Sequence, residues 1–192
     1  MESGLGVRGV HMMNEHLQPE TNSEASLSAE ETNFQALLND WETKASKSRK
    51  AHYDAAGVYD RYHFNISVLS LTLSAIVGTS IFATLKETVH LYTKCLLAVV
   101  SILATVIGGC QSYFRWAVRS EKHRSTASKY GSLLRSIEEL KRFHPEDHDK
   151  RITALDKIRS RNDTISVDAP LIPGNIWKQV EKWHESISDS SK

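Results

Sequence analysis

Histidine offers this chain its widest choice of chemistry, because a neutral imidazole can bind a metal ion or transfer a proton near pH 7. The chain has nine histidines, and they gather locally only in the run 144–149, HPEDHD. Two histidines four residues apart would share a helix face and could bind zinc there. Pro145, however, places His144 at or before a helix start. The helix dipole favours acidic residues at that end, which accounts for the acidic run without a metal ion. We therefore predict no metal site.

Two other histidines, His52 and His123, lie at comparable distances on either side of the apolar part of the chain. If the two flanks pack together, these histidines could meet each other or the nearby Tyr59 and Tyr130. The simpler interpretation is a buried cluster held by hydrogen bonds. A protonation switch is the alternative, because small changes of environment move the pKa of histidine across physiological pH.

The remaining motifs argue against an enzyme. The sequence has no Gly-rich phosphate-binding loop and no serine or cysteine nucleophile motif, so we expect no catalytic residues and no cofactor. With 24 Lys and Arg against 23 Asp and Glu, the net charge is +1, whereas general nucleic-acid binders are strongly basic. The two cysteines, Cys95 and Cys110, exclude a disulfide framework. No nucleic-acid partner is expected.

Two apolar blocks dominate the chain of 192 residues. Residues 64–85 and 95–114 contain no Asp, Glu, Lys, Arg or His, and as helices each spans about 30 Å, the thickness of the hydrocarbon core. The connection between them is too short for a domain but can reverse the chain. We predict an antiparallel transmembrane hairpin. A soluble buried hairpin is the alternative, although little sequence remains to cover it.

Basic residues indicate the orientation of this hairpin. They flank its two outer ends, at Lys44, Lys47, Arg49, Lys50 and Arg61 before it and at Arg115, Arg119, Lys122, Arg124, Lys129 and Arg135 after it. The hairpin loop has only Lys86 and Lys94. By the positive-inside rule both termini are predicted to be cytoplasmic. The first span begins too far into the chain for a cleaved signal peptide.

Small and polar residues within the two spans are candidate contacts of helices or of a pore. Small residues allow close helix approach in lipid, and they recur every four residues at Ser70, Ser74 and Gly78 and at Ser101, Thr105 and Gly109, with Gly108 in a neighbouring row of small residues. Asn65 and Gln111 have similar predicted depth and could hydrogen-bond across the hairpin. Helix packing alone is the simpler interpretation, and a hydrated constriction in an oligomer is the sharper hypothesis.

The flanks of the hairpin carry helical patterns. Residues 1–27 lack apolar periodicity and are predicted to be a disordered tail, and a capping box at Ser28 and Glu31 predicts a helix start. Apolar spacing then predicts four extramembrane helices, at about 28–62, 115–143, 146–160 and 175–187. Each of the two long ones has an apolar stripe, and pairing these stripes hides both. The expected fold class is an all-α membrane protein, with a two-transmembrane hairpin and cytoplasmic helices packed as a bundle within a single domain, 28–187.

At this point the chain resembles the SLATT family, the two-transmembrane effector domains associated with SMODS nucleotidyltransferases and SLOG nucleotide-binding domains of bacterial conflict systems. The resemblance covers roughly Ser28 to Trp183. It is carried by Trp41, Lys44, Ala45, Ser48, His52, Tyr53 and Tyr59 before the hairpin, by His123, Ala127, Tyr130, Leu133 and Ile137 after it, and by the run 169–173, APLIP, with Trp177.

The resemblance implies a bacterial inner-membrane effector that forms a pore or disrupts the membrane, with the lipid bilayer and further copies of the chain as its partners. A nucleotide-sensing or nucleotidyltransferase partner would be a separate protein, because this chain contains neither domain. The alternative is a non-conducting membrane anchor whose cytoplasmic bundle serves as a scaffold for another protein.

Overall fold

The computed structural model of the chain describes residues 18–84, 90–143, 145 and 147–190, and the side-chain surroundings within them from 28 to 80 and from 90 onward. Every regular element in these ranges is an α-helix. The helices are α1 (Gln18–Thr84), α2 (Leu91–Phe114), α3 (Trp116–Arg142), α4 (His148–Asp168) and α5 (Gly174–Ser190). This architecture confirms the predicted fold class.

Helix α1 joins the first extramembrane helix and the first apolar span into one element. It begins at Gln18, within the segment predicted as a disordered tail, and passes through Ser28 without interruption. Ser28 therefore lies inside the helix, and the predicted capping box does not start it. Residues 1–17 of the predicted tail lie outside the described residues, as do residues 85–89, at the end of the first apolar span and the start of the loop that follows it.

The extramembrane part of α1 packs along α3, as the paired stripes predict. The α3 stripe of His123, Ala127, Tyr130, Leu133, Leu134, Ile137 and Leu140 is buried throughout. Leu38 and Ala45 of α1 are buried against it, and α4 adds Ile158 and Ile165 to the same core. Aliphatic side chains removed from water on three helices supply most of the stabilisation of such a bundle.

Polar contacts fix the end of the bundle farthest from the hairpin. Arg151 of α4 donates to Glu31 of α1 at 2.8 Å, and Lys141 of α3 donates to Glu42 at 2.6 Å. Helix α4 starts after Asp147, whose side chain accepts the amide of Asp149, and it continues to Asp168, past the predicted end near residue 160. Helix α5 packs on α1 and buries Ile176 and Val180.

The apolar parts of α1 and α2 lie outside this core. Both are long and apolar enough to cross a membrane, and none of the residues in their most apolar windows is buried within the protein. A soluble helical hairpin would bury such residues. The two apolar helices are therefore transmembrane helices, which pack on each other as a hairpin.

The second transmembrane helix ends at a backbone break that the first one lacks. Arg115, between α2 and α3, has φ 47° and ψ 44°. Among the described residues other than glycine, it alone has a positive φ. The left-handed conformation costs an L-residue about 1–2 kcal/mol because Cβ crowds the following carbonyl. The break lets α3 leave the direction of α2 and follow α1.

We expect Arg115→Gly to raise the stability of the protein by about 1 kcal/mol, since glycine adopts positive φ without a Cβ clash. The measurement is the thermal melting midpoint in detergent micelles. Arg115→Ala is the matched control, because it removes the same charge and keeps the Cβ. Equal midpoints for the two variants would show that the left-handed conformation is not strained.

Candidate functional site

The contact face of the hairpin is made of half-buried residues at helical spacing. They are Ile66, Ser67, Ser70, Leu73 and Val77 of α1 and Leu97, Val100, Ser101, Ala104, Ile107, Gly108 and Gln111 of α2. A Cβ on Gly108 would lie 4.0 Å from the hydroxyl of Ser70. The helices therefore approach closely at this level, as small residues permit in lipid. Of the small residues predicted to mediate helix contacts, Ser70, Ser101 and Gly108 face the other helix of the hairpin.

The predicted hydrogen bond between Asn65 and Gln111 is not formed. Gln111 Nε2 instead donates to Ser67 Oγ at 2.6 Å, and Asn65 is exposed on another face of α1. Ser67 was missed by the sequence reasoning, although it lies on the same face as Ser70, one turn away. The amide of Gln111 is thus used inside the hairpin, while that of Asn65 is directed elsewhere.

Three of the other small residues, Ser74, Thr105 and Gly109, are exposed and face away from the hairpin contact. Gly78 is half-buried, at the edge of that contact, but a Cβ built on Gly78 or on Gly109 meets nothing within 4 Å. Each helix therefore presents small residues to its surroundings on a face that its hairpin partner leaves uncovered. Such a face can be filled by lipid or by a helix of another subunit.

The hydroxyls of these rows donate to their own helices. Ser74 donates to the carbonyl of Ser70 at 2.9 Å, Ser101 to that of Leu97 at 2.8 Å, and Thr105 to that of Ser101 at 2.9 Å. Bonds of this i−4 type satisfy the donor without a partner helix. The oxygen keeps a lone pair that can accept a hydrogen bond from water or from another chain.

Outside the hairpin, the four predicted polar residues come together between α1 and α3. The Nδ1 atoms of His52 and His123 are 2.9 Å apart, and each histidine is only 2% exposed. The Tyr59 ring stacks on His123 with centroids 5.5 Å apart, and the Tyr130 ring stacks on His52 at 5.9 Å. The side chains therefore form one cluster, which we call the histidine pair with its two tyrosines.

The hydrogen bond of the histidine pair requires one Nδ1 with a hydrogen and one without. Burial, together with the smaller effect of the nearby His123, lowers the pKa of His52 from 6.5 to about 4. Burial also lowers the pKa of His123. Both imidazoles are therefore neutral near pH 7, and one donates to the other.

Two hydrogen bonds beside the cluster were not predicted from sequence. Ser120 Oγ donates to the carbonyl of Ala56 at 3.0 Å and is buried. The hydroxyls of Tyr130 and Ser166 lie 3.2 Å apart, which links α3 to α4. Serine on an otherwise apolar stripe is the only signal that the sequence gives for such contacts.

The acidic run with histidines is only partly described, since His144 and Glu146 lie outside the described residues. His148 Nδ1 lies 2.9 Å from Glu30 Oε1, and Asp147 caps α4. Among the residues that the structure describes, no three His, Cys, Asp or Glu side chains are arranged to hold a metal ion. Within this run, His148 thus contacts α1 and Asp147 caps α4.

These observations define the class of the protein. It is a two-transmembrane helical protein, in which an apolar hairpin continues into an extramembrane helical bundle closed by a buried polar cluster.

The family follows from comparison with known proteins. Residues 34–168 match the family model described as SMODS and SLOG-associating 2TM effector domain family 4, and the chain belongs to that family. The resemblance inferred from sequence is thereby confirmed, and the protein is a two-transmembrane effector domain of conflict and defence systems. The family description indicates no catalytic role. Searches of curated proteins and of solved structures returned no match to the chain.

Proposed function

We propose that this effector acts on the bacterial inner membrane by assembling its hairpins into an oligomer that forms a pore or disrupts the bilayer. Both termini and the helical bundle lie in the cytoplasm, as the basic flanks favour. A separate nucleotide-sensing or nucleotidyltransferase protein supplies the trigger. Antiviral defence is the role that such an assembly would serve.

The observation that carries the proposal is the small-residue face that the hairpin leaves uncovered. Gly78 and Gly109 have open space beside their Cα atoms, and Ser74 and Thr105 are exposed on the same two helices. Close approach of a second hairpin at these positions would gain packing that lipid chains supply poorly. Hydroxyl oxygens with free lone pairs would then face the interior of the oligomer and accept hydrogen bonds from water.

The test is membrane potential and dye entry in bacterial cells that express the protein. We expect depolarisation by the parent chain and a loss of most of it in the double variant Gly78→Leu/Gly109→Leu, because leucine keeps neighbouring hairpins apart. Gly57→Leu is the matched control. Gly57 is exposed on the extramembrane part of α1 with nothing within 4 Å of its Cβ, so this variant should depolarise cells as the parent does.

The alternative function, a non-conducting anchor for a scaffold, predicts a different outcome. If the parent chain is inserted in the membrane and does not depolarise cells, it is either a closed pore that awaits its trigger or the scaffold, and the scaffold is favoured. If it does not depolarise cells when the trigger is present, the proposal fails. Equal depolarisation by the parent and the double variant would instead show that the uncovered glycines do not mediate assembly.

A further inference from the structure

Three cations lie at the start of α3, where it leaves the membrane. Arg119 and Lys122 are three residues apart on α3, so they share a helix face, and Arg115 directly precedes this helix, at the left-handed break before Trp116. All three are exposed. We call them the basic stripe.

The surroundings leave the basic stripe without acidic partners in the part of the chain that the structure describes. The nearby Asp60 of α1 faces Arg124 instead, at 3.9 Å. Farther along α3 on the stripe face, Lys129 lies 3.7 Å from Asp168, the last residue of α4. A carboxylate therefore matches Lys129 where α4 ends, whereas Arg115, Arg119 and Lys122, nearer the membrane, are exposed and form no ion pair in the described residues.

Aromatic side chains place the open end of the stripe at the membrane surface. Phe114 stacks on Trp116 with ring centroids 5.0 Å apart, and Tyr113 meets Phe114 edge-on at 5.4 Å. Aromatic residues of this kind collect at the level of the lipid headgroups. Arg115 lies between these rings in the sequence, so the stripe begins at headgroup level and extends into water.

We propose that the basic stripe binds the headgroup of an anionic phospholipid. Arginine matches the paired oxygens of a phosphate, and three cations that form no ion pair in the described part of the chain favour a lipid with net negative charge over a zwitterionic one that carries the same phosphate. This binding is separate from conduction and does not depend on whether the hairpin forms a pore.

The experiment is native mass spectrometry of the full chain, purified in a neutral detergent and mixed with equal amounts of phosphatidylglycerol and phosphatidylcholine. Each cation near an anionic membrane surface strengthens attachment roughly fivefold. We expect the parent to retain about ten times as much phosphatidylglycerol as phosphatidylcholine, or more. The preference should fall below about threefold in Arg115→Asn/Arg119→Gln/Lys122→Gln, in which asparagine tolerates the left-handed backbone.

The matched control removes three positive charges at the far end of the bundle, in Arg142→Gln/Lys157→Gln/Arg159→Gln, and should keep the preference of the parent. Equal retention of the two lipids by the parent, or an unchanged preference in the stripe variant, would overturn the proposal. A third arm adds millimolar glycerol phosphate. Release of the lipid by this soluble headgroup would assign the stripe to free phosphate and likewise overturn the lipid assignment.

Discussion

Replacing Ile137 by alanine is expected to lower the free energy of unfolding of the extramembrane bundle by about 4 kcal/mol. Ile137 is fully buried in the core that α1, α3 and α4 share. Truncation removes buried methyl groups and leaves a cavity that the neighbours refill only in part, which costs 2–5 kcal/mol at such sites. The measurement is denaturant unfolding in micelles followed by tryptophan fluorescence, to which Trp41 contributes from the edge of this core.

The same substitution at an exposed position is the control. Ile152 of α4 is 46% exposed, so Ile152→Ala loses less buried area and should cost less than about 1 kcal/mol. Similar losses for the two variants would mean that the buried apolar stripe of α3, to which Ile137 belongs, is not the centre of the bundle.

Acidification is expected to destabilise the bundle through the histidine pair. The pKa of His52 is lowered by burial to about 4 from its ordinary value of 6.5, so the unfolded chain binds its proton at a higher pH than the folded chain does. The stabilising effect of the neutral residue is complete above pH 6.5 and is lost as the pH falls from there towards 4. The loss amounts to about 3 kcal/mol for His52.

His123 should add to this loss in the same direction, since burial also lowers its pKa. Protonating both rings would place two N–H groups opposite each other at 2.9 Å and break their hydrogen bond.

The check on this prediction is the difference in unfolding free energy between the parent and His52→Gln/His123→Gln, measured from pH 7 to pH 4. We expect the parent to lose stability faster than the double variant over this interval, because the variant has no imidazole to protonate there. Carboxylates elsewhere titrate in both proteins and cancel in the difference. Parallel pH profiles would contradict the assignment of acid sensitivity to the pair.

Much of this architecture could be predicted from the sequence, because helical periodicity fixes which side chains share a face. The buried stripe of α3 follows from its spacing alone. Once two stripes are paired across a hairpin, His52 and His123 must lie near each other, since both are on the paired faces at similar distances from the membrane. Two uncharged blocks of sufficient length identify the spans directly.

The remaining details depend on rotation and register that periodicity leaves open. Asn65 and Gln111 have similar depth, yet a turn of α1 by two residues brings Ser67 to Gln111 and directs Asn65 away. Arg115 gives no signal of a helix break, since neither glycine nor proline marks it. Helix α1 likewise runs through Ser28. A capping motif marks the start of a helix only where the residues before it are not themselves helical.

Because α1 is one unbroken helix, a tilt of its extramembrane part also tilts its transmembrane part. From Gln18 to the membrane boundary near Phe64 it extends about 70 Å, and about 30 Å more lies within the bilayer. A tilt of about 5° at the boundary would move the end of α1 at Gln18 by about 6 Å and the end within the bilayer by about 3 Å. Because the chain breaks between α2 and α3 at Arg115, α1 is the described helix that runs without interruption from the bundle into the bilayer.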